Sequence, residues 1–123
     1  MRLDTNHLDG IEQRAKAAPA PEDIGALVAQ AEEAANFLKA LGHDGRLTIL
    51  CHLQSGPKSV TELEILLSSR QAVVSQQLAR LRLEGLVSAR REGQAIFYSI
   101  LDEKVNEVIY LLARIYSEAR GGR

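Results

Sequence analysis

The architecture of this 123-residue chain is indicated most clearly by residues 68–82, which read SSRQAVVSQQLARLR. Within this stretch Val74, Leu78 and Leu81 fall at i, i+4 and i+7, which is the spacing of an apolar stripe along one face of an α-helix. The positions off the stripe carry mostly glutamine, serine, alanine and arginine, side chains that suit base edges and phosphates in a DNA groove. The composition is typical of a recognition helix. A surface helix that carries glutamines only for solubility is the alternative.

A predicted β-hairpin follows this helix and carries two arginines. Gly85 is expected to end the helix as a left-handed cap, and residues 86–91 and 94–100 then read as two strands around a glycine turn. Arg90 and Arg91 stand at the end of the first strand. A helix followed directly by a basic hairpin is the order found in a winged helix-turn-helix, whose wing lies along the DNA backbone or in the minor groove.

Positive charge is concentrated in the middle of the chain, although the formal net charge of the whole is only −1. Residues 46–101 hold 7 basic and 4 acidic side chains, whereas residues 1–45 hold 4 and 8. Most of the central positive charges belong to arginines of the predicted helix and wing, namely Arg70, Arg80, Arg82, Arg90 and Arg91. Such a local field can act on phosphates even when the total charge is near neutral.

The remaining pattern predicts a mainly α fold with a small β-hairpin wing. Residues 1–20 show little periodicity and are expected to form a flexible N-terminal arm, and residues 21–120 are expected to form one DNA-binding and dimerisation domain. Five helices are predicted, four before the hairpin and one after it. The first is a single long helix from Glu22 to Leu41, because its apolar residues recur every three or four positions.

Short polar signals mark where the later helices begin. Ser59 and Glu62 stand three residues apart, which is the spacing of a capping box at the start of the third helix. Ser68 and Ser69 are expected to supply the turn and the cap before the recognition helix. Together these signals predict a helix-turn-helix.

The first and last predicted helices are amphipathic and lie outside the DNA-reading module. We expect both to pack against their mates in a second copy, which makes the protein a homodimer. Two-fold symmetry would then place two recognition helices about 34 Å apart on a palindromic operator. The alternative is that both apolar stripes complete a core within one chain.

Composition argues against several other classes of protein. No apolar run approaches the roughly 20 residues needed to cross a bilayer, and the start lacks a signal pattern, so a cytoplasmic protein is expected. No Gly-rich phosphate loop, catalytic carboxylate pair or metal cluster is evident. His52 is adjacent to Cys51, and on a helix it would point roughly 100° away, so it is badly placed as a catalytic base. We therefore predict neither enzymatic activity nor a cofactor.

Three segments together resemble the ArsR/SmtB family of bacterial winged-helix repressors. They are residues 38–47, residues 74–82 and residues 85–98, which appear in the family's order and spacing within a match that runs from Ala31 to Ile115. The resemblance implies a homodimeric repressor that blocks transcription by occupying operator DNA. The alternative from another functional class is a winged-helix adaptor that binds other proteins and no DNA.

The expected DNA contacts fall into two groups. The side chains expected to meet bases are Gln71, Ala72, Ser75 and Gln76. Those expected to meet phosphate or the groove are Ser69, Arg70, Arg80, Arg90, Arg91 and Gln94.

Many members of the family sense metals, but the ligands they use are missing here. The positions that look equivalent to a Cys-x-Cys ligand pair are Ser59 and Thr61, and residues 102–119 contain no histidine. Neither set can supply soft or imidazole ligands. We therefore expect no metal site.

Cys51 is the single cysteine of the chain and has two interpretations. From the residues alone, it is a small apolar side chain that fills the core beside Leu47 and Leu50. The resemblance implies another role, since the persulfide- and oxidant-sensing subfamily looks most similar and keeps one cysteine at this place. Its second cysteine corresponds to Ser117, either as an engineered Cys-to-Ser change or as a natural single-thiol variant.

In the dithiol mechanism that the resemblance implies, reactive sulfur species act as the inducer. One cysteine attacks a sulfane sulfur and the other resolves the adduct into a disulfide or polysulfide bridge. With Ser117 that bridge cannot close. Haem or another small ligand remains an alternative inducer.

Overall fold

The structure, a computed structural model, describes residues 18–121, with side chains through residue 118. Most of the predicted N-terminal arm, residues 1–20, lies outside the described residues. The elements are α1 (Pro21–Ala29), α2 (Ala31–Leu41), α3 (Asp44–His52), a 3₁₀ turn (Leu53–Ser55), β1 (Lys58–Ser59), α4 (Val60–Leu67), α5 (Gln71–Leu83), β2 (Val87–Glu92), β3 (Ala95–Ile100) and α6 (Glu103–Gly121). This order confirms the mainly α winged helix-turn-helix. In the part of the chain that is described, no helix has the length and apolarity to span a membrane.

The predicted long first helix is wrong, because it consists of two helices. α1 ends at Ala29 and α2 begins at Ala31, and Gln30 between them leaves helical geometry with φ −113° and ψ 23°. The described residues therefore form six α-helices rather than five. Apolar residues keep their three-to-four spacing across Gln30, and neither glycine nor proline stands there, so the sequence carried no signal for the break.

The hairpin belongs to a three-stranded sheet, where two strands were predicted. The additional strand β1 pairs antiparallel with β3, with Lys58 opposite Tyr98 and Ser59 opposite Phe97. The strand order is β1-β3-β2, so β3 is central. A two-residue strand is too short to show an alternating pattern, which is why the sequence did not reveal it. Pairing with β1 ties the base of the wing to the start of α4.

Two of the three predicted helix-end signals are confirmed. The hydroxyl of Ser59 accepts from the backbone N–H of Glu62 at 3.1 Å, and the Glu62 carboxylate accepts from the N–H of Ser59 at 2.8 Å, which is the capping box. Gly85 has φ +78° after the end of α5. The predicted serine cap of α5 is wrong, since the N-cap is Arg70, without a side-chain bond. Ser68 does supply the turn, with φ +50°.

The core lies where α3, α4 and α5 meet the sheet and the first half of α6. Its most completely buried side chains are Ile49, Leu50, Leu63, Val74, Leu78, Leu81, Val87 and Val105. Val74, Leu78 and Leu81 are the predicted stripe of α5, which is therefore confirmed as the inward face of that helix. α1 contributes no buried residue.

Asp102 stands at the start of α6 and carries a prediction for stability. Its Oδ1 accepts from the backbone N–H of Lys104 at 2.9 Å, and its Oδ2 lies 2.9 Å from the Lys104 ammonium. Burial alone would raise the pKa of this carboxyl, but the hydrogen bonds and charge of Lys104 outweigh burial and lower it. We expect Asp102→Ala to reduce the free energy of unfolding by about 0.5–2 kcal/mol at neutral pH, measured by urea denaturation.

The effect of Asp102→Ala should depend on pH. Because the folded-state pKa is lowered, the carboxylate stabilises the fold above its unfolded-state pKa of about 3.9, and that stabilisation is lost as the pH falls through the folded-state value. The difference between wild type and variant should therefore shrink in acid. Asp44→Ala is the matched control, since Asp44 also lies in the first turn of a helix but has a fully exposed carboxylate. An equal loss in both variants at all pH values would contradict the prediction.

Candidate nucleic-acid interface

The first half of α5 presents its polar side chains to solvent and its apolar side chains to the core. Gln71, Ala72 and Gln76 are exposed, and Ser75 is half-buried. They lie on adjacent turns, since Gln71 and Ser75, like Ala72 and Gln76, are four residues apart. The structure thus brings the four predicted base-contacting residues together on one outward surface, which we call the reading face. Amides and hydroxyls on such a face can donate to and accept from base edges.

The start of α5 adds groups that suit phosphate. Arg70 is the exposed N-cap residue, and its neighbour Ser69 is half-buried. Because no side chain caps this helix, its first backbone N–H groups stay free of side-chain partners within the described residues. Free N–H groups and the positive end of the helix dipole favour an anion.

The two wing arginines differ in their surroundings. Arg90 pairs with Glu92, with 2.6 Å between Nη2 and Oε2, so part of its charge is compensated within the wing. Arg91 forms no ion pair with any described residue and is exposed. Successive residues of a strand point to opposite faces, so the two guanidinium groups leave β2 in opposite directions. Gln94 lies in the exposed turn between β2 and β3.

Arg80 stands in the second half of α5 and is also partly neutralised. Its Nε donates to Oε2 of Glu84 at 3.1 Å, an exposed i,i+4 pair. Arg82 is exposed and without an ion pair among the described residues. Within residues 18–118, the arginines of α5 and the wing that have no ion pair are therefore Arg70, Arg82 and Arg91.

Two features of α5 were not predicted from the sequence. Val73 is 44% exposed in the first turn, next to Ala72, where an apolar side chain can touch a thymine methyl. Val73 stands next to Val74 in the sequence but off the buried apolar stripe, and this position could have predicted its exposure. Gln77 is half-buried and accepts a hydrogen bond from Arg46 at 3.3 Å, a contact between residues 31 positions apart that no local pattern reveals.

Cys51 is exposed on α3, so the interpretation that it fills the core is wrong. The residues of α3 that enter the core are Ile49 and Leu50. α3 carries apolar residues on several sides, and packing against α4 and α5 selected which of them are buried. The side chain reaches solvent, but neighbouring protein atoms still displace part of the water around the Cys51 thiol, and this desolvation raises its pKa above the ordinary value. The thiolate is therefore a minor species at neutral pH.

The raised pKa of Cys51 makes a direct prediction for alkylation. We expect iodoacetamide to react with Cys51 more slowly at about pH 7 than with a free cysteine peptide, because only the thiolate reacts. The rate should rise nearly tenfold per pH unit and show no plateau below about pH 8.5. Mass spectrometry of quenched samples gives the rate. A plateau near neutral pH would contradict the prediction.

Ser117, to which the resemblance assigned the place of a second cysteine, is exposed on α6. Among the described residues, no three histidine, cysteine, aspartate or glutamate side chains are grouped closely enough to hold a metal ion.

A half-open cavity of about 490 Å³ lies beside Phe37, Ala40 and Leu86. Its lining contains no histidine, cysteine, methionine or tyrosine, so it offers no side chain of the kinds that ligate haem iron.

Comparisons with known proteins agree with this geometry. Residues 43–89 match the family model described as "Bacterial regulatory protein, arsR family". The chain is 43% identical over 95 residues to the HTH-type transcriptional regulator YgaV of Escherichia coli (strain K12), an alignment that spans 76% of this chain and 96% of YgaV.

Two solved structures are also similar. Reduced HlyU from Vibrio cholerae, a protein named as a transcriptional activator, has a TM-score of 0.70 and 40% identity, covering 74% of this chain and 96% of HlyU. The transcriptional repressor BigR from Xylella fastidiosa has a TM-score of 0.72 and 38% identity, covering 80% and 97% of the two chains. The chain is therefore a transcriptional regulator and not an enzyme, and it belongs to the ArsR family of bacterial regulatory proteins.

Proposed function

We propose that this regulator is a cytoplasmic repressor that occupies a palindromic operator as a homodimer. The observation that carries the proposal is the reading face of α5, where Gln71, Ala72 and Gln76 are all exposed while the opposite stripe is buried. Phosphate contacts come from Ser69, Arg70, Arg80, Arg90, Arg91 and Gln94, and the unpaired Arg91 contributes more than Arg90, whose charge Glu92 compensates. BigR, which is named a repressor, supports the direction of regulation.

Apolar side chains at both ends of the chain support the homodimer. In α1, Ile24 is 47% exposed, Leu27 53% and Val28 69%, although each is large and apolar. In α6, Ile115 and Tyr116 are also exposed. Burial of such a surface between two copies would remove apolar area from water, which stabilises association by roughly 25 cal/mol per Å² before the costs of binding.

Sedimentation velocity tests the dimer. The wild-type chain should sediment as a dimer at micromolar concentration, and Leu27→Glu with Val28→Glu should sediment as a monomer, because two carboxylates would then enter an apolar interface. The matched control is Ile65→Glu, which changes an apolar side chain that is 73% exposed on α4, outside both ends of the chain. A wild-type monomer at these concentrations would overturn the dimer.

We propose further that the Cys51 thiol reacts with reactive sulfur species, as the first step of a dithiol switch. Its thiolate attacks the outer sulfur of a low-molecular-weight persulfide, so that Cys51 becomes a persulfide and the small molecule leaves as a thiol after taking up a proton. The exposed position of Cys51 on α3 supports this access. One solved structure of the relative HlyU is named as that of the reduced protein, which is consistent with the proposal.

The residue at position 117 decides whether a second step can occur. A thiol introduced by Ser117→Cys could attack the Cys51 persulfide, which would form a disulfide between α3 and α6 and release hydrogen sulfide. Serine forms no such bond, so the chain as it stands stops at the persulfide. We therefore infer that this chain is the DNA-competent form of a dithiol sensor whose second thiol is absent.

Fluorescence anisotropy of a labelled duplex from the protein's own promoter tests both proposals. The wild-type chain and Ser117→Cys should bind this duplex when reduced, and only Ser117→Cys should release it after persulfide is added. Cys51→Ser in the Ser117→Cys background is the control and should never release. Release by the wild-type chain would replace the dithiol switch with a single-thiol mechanism. Absence of binding by every reduced chain would overturn the repressor and favour a protein-binding adaptor.

A further inference from the structure

Arg46 is a half-buried side chain in the first turn of α3 that bonds two other helices at once. Its Nε donates to the carbonyl oxygen of Ala40 at 2.7 Å, and its Nη2 donates to that of Lys39 at 3.1 Å. Both carbonyls belong to the last turn of α2. Its Nη1 donates to Oε1 of Gln77 on α5 at 3.3 Å. One guanidinium therefore connects the C-terminal end of α2 to the middle of α5.

The geometry of this connection requires an arginine. The last carbonyls of a helix lack partners within the helix and carry the negative end of its dipole, so a cation that donates to them is favoured there. The guanidinium is planar and has five N–H donors in a rigid fork, which lets it serve α2 and α5 together. A lysine ammonium at this place would keep the charge but has no such fork.

Gln77 faces the first turn of α3 at Gly45. A Cβ added to Gly45 would lie 3.9 Å from Cγ of Gln77 and 3.2 Å from the ring of His43. Gly45, in the first turn of α3, therefore lies beside Gln77. The Gln77 side chain is held by its bond from Arg46.

Gln77 immediately follows Gln76, which belongs to the reading face. On an α-helix consecutive side chains leave the axis about 100° apart, and here Gln77 is half-buried while Gln76 is exposed. Rotation of α5 about its own axis would therefore move both side chains together. A bond that holds Gln77 also sets the direction in which Gln76 meets the DNA.

We propose that Arg46 is a positioning residue for sequence recognition, which fixes the rotation of α5 relative to α2 through Gln77. The proposal rests on the proposed DNA-binding role of the reading face. Arg46 acts through Gln77 and makes no DNA contact of its own. Its loss should therefore impair discrimination between sequences more than general attraction to phosphates, because misdirected base contacts lose specific binding while the arginines of the surface remain.

The test compares binding of an operator duplex and of a random duplex of equal length. Arg46→Lys and Gln77→Ala should each lower affinity for the operator about tenfold, or about 1.4 kcal/mol, and change affinity for the random duplex less than about twofold. The double variant should be no weaker than either single variant, since all three lose one shared contact. Gln77→Glu keeps the acceptor and should retain the ratio of operator to random affinity.

A matched control separates positioning from stability. Gln54 is also half-buried, and its amide donates to Oδ1 of Asn106 on α6 at 2.9 Å, away from α5. Gln54→Ala should lower the midpoint of urea unfolding about as much as Gln77→Ala and leave operator affinity unchanged. If Arg46→Lys does not fold, the comparison of Gln77→Ala with Gln54→Ala still tests the proposal.

Two results would overturn the role of Arg46. One is an additive loss of operator affinity in the double variant. The other is a ratio of operator to random affinity that stays at the wild-type value in both single variants. Failure of the proposed function looks different, because the wild-type chain would then show no preference for the operator at all.

Discussion

Leu78→Ala is expected to lower the free energy of unfolding by about 2–5 kcal/mol, the usual cost of truncating a buried leucine. Leu78 is 0% exposed and lies on the inward stripe of α5, between Val74 and Leu81, which are also buried. Truncation removes apolar contacts and leaves a cavity that close-packed neighbours fill only in part. Urea denaturation followed by circular dichroism measures the change.

Leu83→Ala is the matched control for this experiment, because it makes the same substitution at the end of the same helix. Leu83 is 82% exposed, so its truncation should change stability by no more than about 0.5 kcal/mol. Equal losses in the two variants would mean that α5 does not bury the stripe that the structure assigns to it. Circular dichroism of both folded variants also establishes whether the helix persists.

Replacing Gln76 and Arg91 by alanine should affect DNA binding in two different ways. Gln76 is exposed on the reading face, and if its amide pairs with a base in bidentate fashion, Gln76→Ala should relax preference at one position of the operator by about 1–3 kcal/mol. Arg91→Ala removes an exposed guanidinium and should weaken binding to all sequences. For Arg91→Ala, the slope of log affinity against log salt concentration should become less negative by about 1.

Anisotropy titrations with the operator, single-base variants of it and a random duplex, at several salt concentrations, distinguish the two effects. Arg90→Ala is the control for Arg91→Ala, and it should change the salt dependence less, because Glu92 lies 2.6 Å from the Arg90 guanidinium. If Gln76→Ala and Arg91→Ala weaken operator and random duplexes equally, their assignment to base and phosphate is wrong. Loss of binding without a change in salt slope would contradict the role of Arg91.

Much of the fold was accessible from short-range patterns. The stripe of Val74, Leu78 and Leu81 repeats at the helical period, and the structure buries all three. The capping box of Ser59 and Glu62 is complete within four residues, which is why its two hydrogen bonds could be expected. The exposed reading face could be expected for a similar reason, since positions off a buried stripe face solvent.

Several features of the site were not accessible in this way. α3 carries apolar side chains around most of its circumference, so periodicity could not tell whether Cys51 or Leu50 entered the core. The ion pair in which Glu92 partly neutralises the charge of Arg90 depends on the backbone geometry of the wing. The break at Gln30 leaves the apolar spacing of the sequence intact and is visible only in the backbone angles of that residue.

Local sequence alone specified α5, its inward face, the capping box and the glycine turns, because each of these depends on residues within about one or two helical turns of one another. Tertiary structure alone decided which side of α3 is buried, that β1 joins β3, and that Arg46 reaches Gln77 across 31 residues. These contacts join segments that are distant in the chain. Packing of the whole core decides which distant residues meet, and a local sequence pattern cannot predict that.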